Sequence, residues 1–210
     1  MPGVSRRVAL ADAAIAVLAR EGGRGLTHRS VDREAGVPEG TAKNYFPTRE
    51  ALLEAAAGRM ADQHRAAVRR LRETTPKTVA AEDVAALYPA LLRRAVETDP
   101  TQILAMFELY LEAVRRPGVR AALGEMAAAN ARAAAELHRS AGLPTGERDA
   151  GLLDAYFLGA AISMLALPTE ARRLVGLEDP ESVGRELFAA AVPQRNDYPQ
   201  CRDIASGEGF

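Results

Sequence analysis

The 210-residue sequence predicts an all-α protein, on three observations. Apolar residues recur at a period near 3.6 over long stretches, and no alternating strand pattern of useful length interrupts them. Gly, Pro and Thr fall between those stretches, where helices need stops and caps. The composition, 48% apolar and 26% charged, is that of an ordinary soluble globular chain.

The elements follow in order. A first helix runs from Arg6 to Glu21, with Val8, Ala11, Ile15 and Leu18 on one face, and Gly22-Gly23 stops it. Thr27 is a good N-cap for a second helix ending at Gly36. Pro38 is expected to start a third, where its missing N–H is harmless. Pro47 ends that helix, and Thr48 caps a long fourth one reaching Leu71. Residues 74–77 read as a linker. Further helices are expected near 81–97, 100–116, 118–141, 147–167 and 179–192, and residues 193–210 as an irregular or disordered tail. The domain division is therefore 1–50, 51–192 and the tail.

Charge is unevenly placed. The net charge is −1, yet residues 1–75 hold 13 Lys and Arg against 9 Asp and Glu, and the remainder 14 against 19. A mildly basic head on an acidic body suits site-specific rather than indiscriminate nucleic-acid binding. Cys201 is the only cysteine, so no intrachain disulfide can form and a reducing cytoplasm fits. The longest apolar run, 155–167, falls short of the roughly 20 residues a bilayer span needs. The N-terminus lacks an apolar core with a small-residue cleavage site, so neither a secretory signal nor a membrane role is expected.

The most informative stretch is 27–53, THRSVDREAGVPEGTAKNYFPTREALL. Two short helices joined by a Gly-containing turn form the helix-turn-helix pattern, whose second helix enters the DNA major groove. Helical geometry puts Gly40, Thr41, Lys43, Asn44 and Tyr45 on one side of the third helix and Ala42 and Phe46 on the other. Lys43 can donate to guanine O6/N7, and Asn44 can bridge adenine N6/N7. The hydroxyls of Thr41 and Tyr45 suit phosphate oxygens, and Gly40 permits close backbone approach. Thr27 at a helix N-terminus suits a phosphate, with Arg29 and Arg49 as flanking backbone clamps and His28 as a weaker candidate. On faces and spacing alone, any helix with one polar side would look the same.

The segment resembles the N-terminal domain of the tetracycline-repressor (TetR) family of bacterial regulators. The resemblance rests on Leu26-Thr27, Val31, Ala35-Gly36-Val37, Gly40-Thr41, Tyr45-Phe46 and Arg49-Glu50-Ala51-Leu52-Leu53, and covers residues 6–53. Three positions depart from a common family pattern: Ala42 replaces a large aliphatic residue, Lys43 an aromatic and Pro38 a serine. Operator preference therefore cannot be carried over from relatives with that pattern. The resemblance implies a C-terminal helical domain that binds a small molecule and dimerises.

The rest of the sequence supports that implication independently. Ile103, Met106, Phe107, Tyr110, Leu111 and Val114 form one stripe, Val84, Leu87, Tyr88, Leu91 and Ala95 another. Val119, Leu123, Met126, Asn130, Ala133 and Leu137 share a third face. Tyr88, Tyr110 and Asn130 are polar-tipped residues within apolar stripes, as a small-molecule site needs. The candidate ligand contacts are Tyr88, Met106, Phe107, Tyr110, Met126, Asn130 and Phe157, for a small apolar or amphipathic ligand. Each is equally readable as plain core. The chain has no tryptophan, which disfavours an aromatic cage for large cations. From Ala155 to Leu167 the sequence is apolar all round except Ser163, so that helix needs a partner on its outer side. With the 179–192 helix it predicts a homodimer through a four-helix interface.

No metal site, cofactor or catalytic string is found. His28, His64 and His138 lack Glu-x-x-His spacing, and no H-E-x-x-H, G-x-S-x-G or P-loop string occurs. The reading is a cytoplasmic, homodimeric transcriptional repressor that a ligand releases from a pseudo-palindromic double-stranded operator. The alternatives are a helical small-molecule or protein-binding module with a vestigial DNA head, and a cofactor-free enzyme.

Overall fold

Ten α-helices carry the chain in the computed structural model, which describes residues 5–74 and 79–192, with side chains described for 5–70 and 79–192. They are α1 (Arg6–Gly25), α2 (His28–Glu34), α3 (Thr41–Tyr45), α4 (Arg49–Thr74), α5 (Ala81–Arg93), α6 (Thr101–Ala113), α7 (Pro117–Ser140), α8 (Glu147–Ala166), α9 (Thr169–Leu174) and α10 (Pro180–Ala191). A π-helical turn, Arg94–Thr98, prolongs α5. No strand occurs among the described residues. The expected tail, 193–210, and most of the expected linker lie outside them.

Local chemistry sets the ends. Gly22, at φ 71°, breaks the regular part of α1 where the sequence puts its stop. The Thr27 hydroxyl accepts from Ser30 N–H at 3.0 Å while Thr27 N–H donates to Ser30 Oγ at 2.9 Å, a reciprocal cap. Thr48 Oγ1 accepts from Ala51 N–H at 3.1 Å. Asp179 accepts from the N–H groups of Glu181 and Ser182. The third helix departs from expectation. It starts at Thr41, not Pro38, because Gly40 takes a left-handed φ of 90° and directs its own N–H away from any helical register.

The core of the head does not end at residue 50. Leu10, Leu18, Val31, Ala42, Phe46, Leu52 and Leu53 form one buried cluster with Ala105, Leu109 and Ala113 of α6 and Val119, Leu123 and Met126 of α7. Its small members let α1 and α6 approach closely. That arrangement corrects the stripe expected on α6. Ile103, Ala105, Leu109 and Ala113 are its buried face, while Leu111 and Val114 are 59% and 68% exposed. The body has two further clusters, one around Leu92, Ile103, Ala161 and Met164, the other around Val84, Leu153 and Phe188. α5 lies so close to α10 that a Cβ on Gly184 would stand 2.4 Å from Pro89 Cα.

By length and composition α8 could cross a bilayer. In the fold it turns Ala150, Leu153, Ala160, Ala161 and Met164 inward. Leu152, Tyr156, Gly159 and Ala166 stay exposed along the opposite side.

Candidate DNA interface and ligand site

The reading helix divides as its periodicity requires. Ala42 and Phe46 are fully buried, while Lys43, Asn44 and Tyr45 are exposed and Thr41 and Gly40 are half-buried. Burial of two residues cannot by itself fix a five-residue helix, and Asp32 supplies the remainder. This buried carboxylate on α2 accepts the Gly40 N–H at 2.8 Å and the Ala42 N–H at 2.6 Å. It caps α3 from a neighbouring helix in place of a local side chain, satisfying donors that a helix start leaves open.

The other end of α3 is also held. His28 Nε2 lies 2.6 Å from the Phe46 carbonyl oxygen. The Arg7 guanidinium donates to the Tyr45 carbonyl at 3.2 Å and lies 4.6 Å from the Phe46 ring centre, placing a cation at the helix C-terminus where the dipole favours it. The flanking residues expected beside DNA thus fall into two groups. Arg29 is 80% exposed, 3.8 Å from the carboxylate of exposed Glu39. His28 is engaged within the head, and Thr27 serves as the α2 cap. Arg49 donates to Glu112 Oε1 of α6 at 2.8 Å and to the Gly23 carbonyl. Gly23 N–H in turn donates to Glu108 Oε2 of α6 at 2.7 Å.

In the body, three of the seven predicted ligand contacts share one charged neighbour. Tyr88 of α5, Tyr110 of α6 and Asn130 of α7 are each coupled electrostatically to Asp154 of α8. The Asn130 amide donates to the Asp154 carboxylate, and that charge acts on both phenols. Burial pushes the Asp154 carboxyl above its ordinary value, only partly offset by Asn130. Burial first, and then Asp154, pushes both tyrosines up. Tyr88 Oη also bonds His138 Nε2 at 2.7 Å, and both rings pack on Phe188 with centres 5.2–5.7 Å apart. Asn130 Oδ1 and His138 Nδ1 are among the buried side-chain atoms without a hydrogen-bond partner in the described residues. Tyr110 also borders an open, apolar groove of about 320 Å³ between α6 and α7, lined by Val114, Arg120, Leu123 and Ala127 among others.

The remaining four candidates lie apart from this cluster. Phe107 and Phe157 pack against the Leu92–Met164 core, Met106 packs against the head core, and Met126 is buried within it. Asp32, Arg7, Asp154 and His138 are the residues that sequence reasoning missed.

A helix-turn-helix head whose core runs into a helical body matches known families at both ends. Residues 10–56 match the family described as bacterial regulatory proteins, tetR family, and residues 79–194 match the tetracyclin repressor-like C-terminal domain. The chain belongs to the TetR family. Its members are transcriptional regulators with a DNA-binding head and a ligand-binding body. No curated protein matches the chain. Among solved structures, the multidrug binding protein EbrR complexed with ethidium is 27% identical, with 90% of this chain and 100% of that one covered at a TM-score of 0.64. A TetR-family member from Streptomyces coelicolor A3, SCO1917, is 26% identical over 91% of this chain and 100% of its own, at 0.65. A transcriptional regulator from Rhodococcus sp. Rha1 is 19% identical over 89% and 96%, at 0.68, a likeness of fold alone.

Proposed function

We propose that this TetR-family chain is a homodimeric repressor, released from a pseudo-palindromic operator by a small apolar or amphipathic ligand held among α5 to α8. The observation that carries the DNA half is the polarity of α3. Lys43, Asn44 and Tyr45 face solvent on a helix fixed at its start by Asp32 and at its end by His28 and Arg7. Lys43 and Asn44 read bases; Thr41, Tyr45, Thr27 and Arg29 meet phosphates; Arg49 and His28 act on DNA through the framework they hold.

The ligand half rests on the apolar groove at Tyr110, on the polar side chains set in the apolar body and on the relatives. EbrR was solved with ethidium, proflavin and malachite green, all flat or propeller-shaped aromatic cations with large apolar surfaces. Dimerisation rests on the exposed stripe of α8, Leu152, Tyr156, Gly159 and Ala166, beside Ala189 and Ala190 of α10. An isologous pairing of these helices would cover it. The function places the protein in the cytoplasm with its operator.

A gel shift on the promoter of its own or an adjacent gene tests the reading. A discrete shift that survives competitor DNA is expected. No shift at low salt from folded dimer would favour the binding-module alternative.

A further inference from the structure

The last carbonyls of a helix have no partner within it and carry negative partial charge, which repels an anion placed beside them. At the end of α3 two of these carbonyls are met from outside. Arg7 of α1 donates to the Tyr45 carbonyl at 3.2 Å, and His28 Nε2 lies 2.6 Å from the Phe46 carbonyl oxygen. Arg7 brings more than a cap requires. Its guanidinium carbon stands 4.6 Å from the centre of the buried Phe46 ring, yet the side chain remains exposed, next to the exposed Tyr45. Arg20, Arg33 and Arg49 of the same head are each bonded to a carboxylate, whereas Arg7 pairs with no acid among the described residues. Capping one carbonyl takes one N–H donor, and a guanidinium carries about five in a rigid fork. A full positive charge with donors to spare is therefore held in place at the edge of the reading helix.

We propose that Arg7 clamps a backbone phosphate of the operator at the C-terminal end of α3, on the far side of that helix from the contacts proposed for Thr27 and Arg29. The inference rests on α3 being the DNA-reading helix, and it adds a contact from α1, which the helix-turn-helix pattern itself does not include. With one N–H on the Tyr45 carbonyl, the outer edge of the guanidinium can hold two phosphate oxygens, a geometry that an ammonium cannot copy. The Phe46 ring fixes the plane of the fork before DNA arrives, so less side-chain freedom is lost on binding. The positive charge also reverses the sign of a helix end that would otherwise repel the strand. A phosphate contact of this kind sets the register of α3 in the groove and carries no base preference of its own.

The test measures binding of the full-length dimer to the promoter fragment of its own or an adjacent gene at several salt concentrations. Arg7→Gln removes the charge and keeps a donor for the Tyr45 carbonyl; Arg7→Lys keeps the charge and loses the fork. Arg7→Gln should lower the slope of log K against log salt by about 1 per protomer and weaken single-base variants of the fragment alike. Arg7→Lys should keep the slope and lose only part of the affinity. Scanning the fragment with single uncharged methylphosphonates should find one position per half-site that weakens the wild type and not Arg7→Gln. A wild-type slope in Arg7→Gln, a changed base preference, or a melting temperature lowered enough to account for the lost affinity would mean that Arg7 only braces α3, and each would overturn the proposal. No shift of either fragment by folded wild-type dimer would remove the DNA reading itself, whereas a wild-type shift with an unchanged Arg7→Gln slope removes this contact alone.

Discussion

Arg49, in the first turn of α4, donates to Glu112 of α6 at 2.8 Å, joining the DNA-binding head to the body across 63 residues of sequence. Arg116 holds the other Glu112 oxygen at 2.8 Å, and Arg49 also reaches the Gly23 carbonyl. Burial alone would push the Glu112 carboxyl up, yet these two arginines outweigh it and hold it below its usual range. The Gly22-Gly23 pair makes room for the joint. A Cβ on Gly23 would stand 2.9 Å from Glu112 Oε1, and one on Gly22 3.3 Å from Glu108 Oε1. Any ligand that moves α6 therefore pulls on both α1 and α4.

The first prediction is that Arg49 and Glu112 are energetically coupled, and that Arg49 is a strut rather than a phosphate clamp. A double-mutant cycle of Arg49→Ala and Glu112→Ala, read by urea unfolding, should give a coupling of about 0.5–2 kcal/mol. Arg49→Ala should leave the salt slope of DNA binding unchanged. A slope reduced by about 1 would return Arg49 to the phosphate contacts.

Asp32 carries the geometry of the reading helix. Asp32→Ala leaves the Gly40 and Ala42 N–H groups without their acceptor, and a buried orphan donor costs about 1–3 kcal/mol. The expected result is a lower melting temperature and loss of operator affinity at an unchanged protein contact surface. Asp32→Asn, which keeps one acceptor oxygen, should recover part of both. If Asp32→Ala binds operator like the wild type, the capping role is wrong.

Lys43 and Arg29 should separate by what they recognise. Lys43→Ala is expected to relax base preference by about 1–3 kcal/mol at one position per half-site, with little effect elsewhere. Arg29→Ala should weaken all sequences alike and lower the salt slope by about 1. Binding to a set of single-base operator variants at several salt concentrations distinguishes them. Uniform loss from both variants would mean that the exposed side of α3 does not face base edges.

These assignments also show where sequence reasoning reaches and stops. The faces of α3 and the caps at Thr27 and Thr48 depend on neighbours within four residues, so periodicity and residue type reveal them. Asp32, Arg7, His138 and Asp154 act on partners 8 to 50 residues away or on other helices, and no local pattern marks them. Tyr88, Tyr110 and Asn130 are visible as polar tips in apolar stripes, but Asp154, the charge that acts on both phenols, is not. On α6 the rule of burying the largest side chains failed, because close contact with α1 favours Ala105 and Ala113 and leaves Leu111 and Val114 outside. The short α9 was missed because none of its residues is buried, so it carries no stripe.

His138 makes the last prediction one of pH. Burial lowers its pKa from an ordinary 6.5, and burial does the same to His64. In the unfolded chain both rings return to about 6.5, so below that pH the unfolded state binds more protons than the folded one. The contribution of neutral His138 is therefore fully present above about pH 6.5 and is lost as pH falls towards its folded value. At pH 5.5 a histidine still neutral in the fold would have given up at most about 1.4 kcal/mol. Urea unfolding at pH 7.5, 6.5 and 5.5 should show the wild type weakening over this range. His138→Gln should weaken less steeply, with part of its stability at pH 7.5 lost along with the Tyr88 hydrogen bond. Combining it with His64→Gln should flatten the profile further. A single variant whose stability falls with pH as steeply as the wild type would show that His138 titrates alike in the folded and unfolded chains, and one that falls more steeply would show that the fold holds the ring protonated.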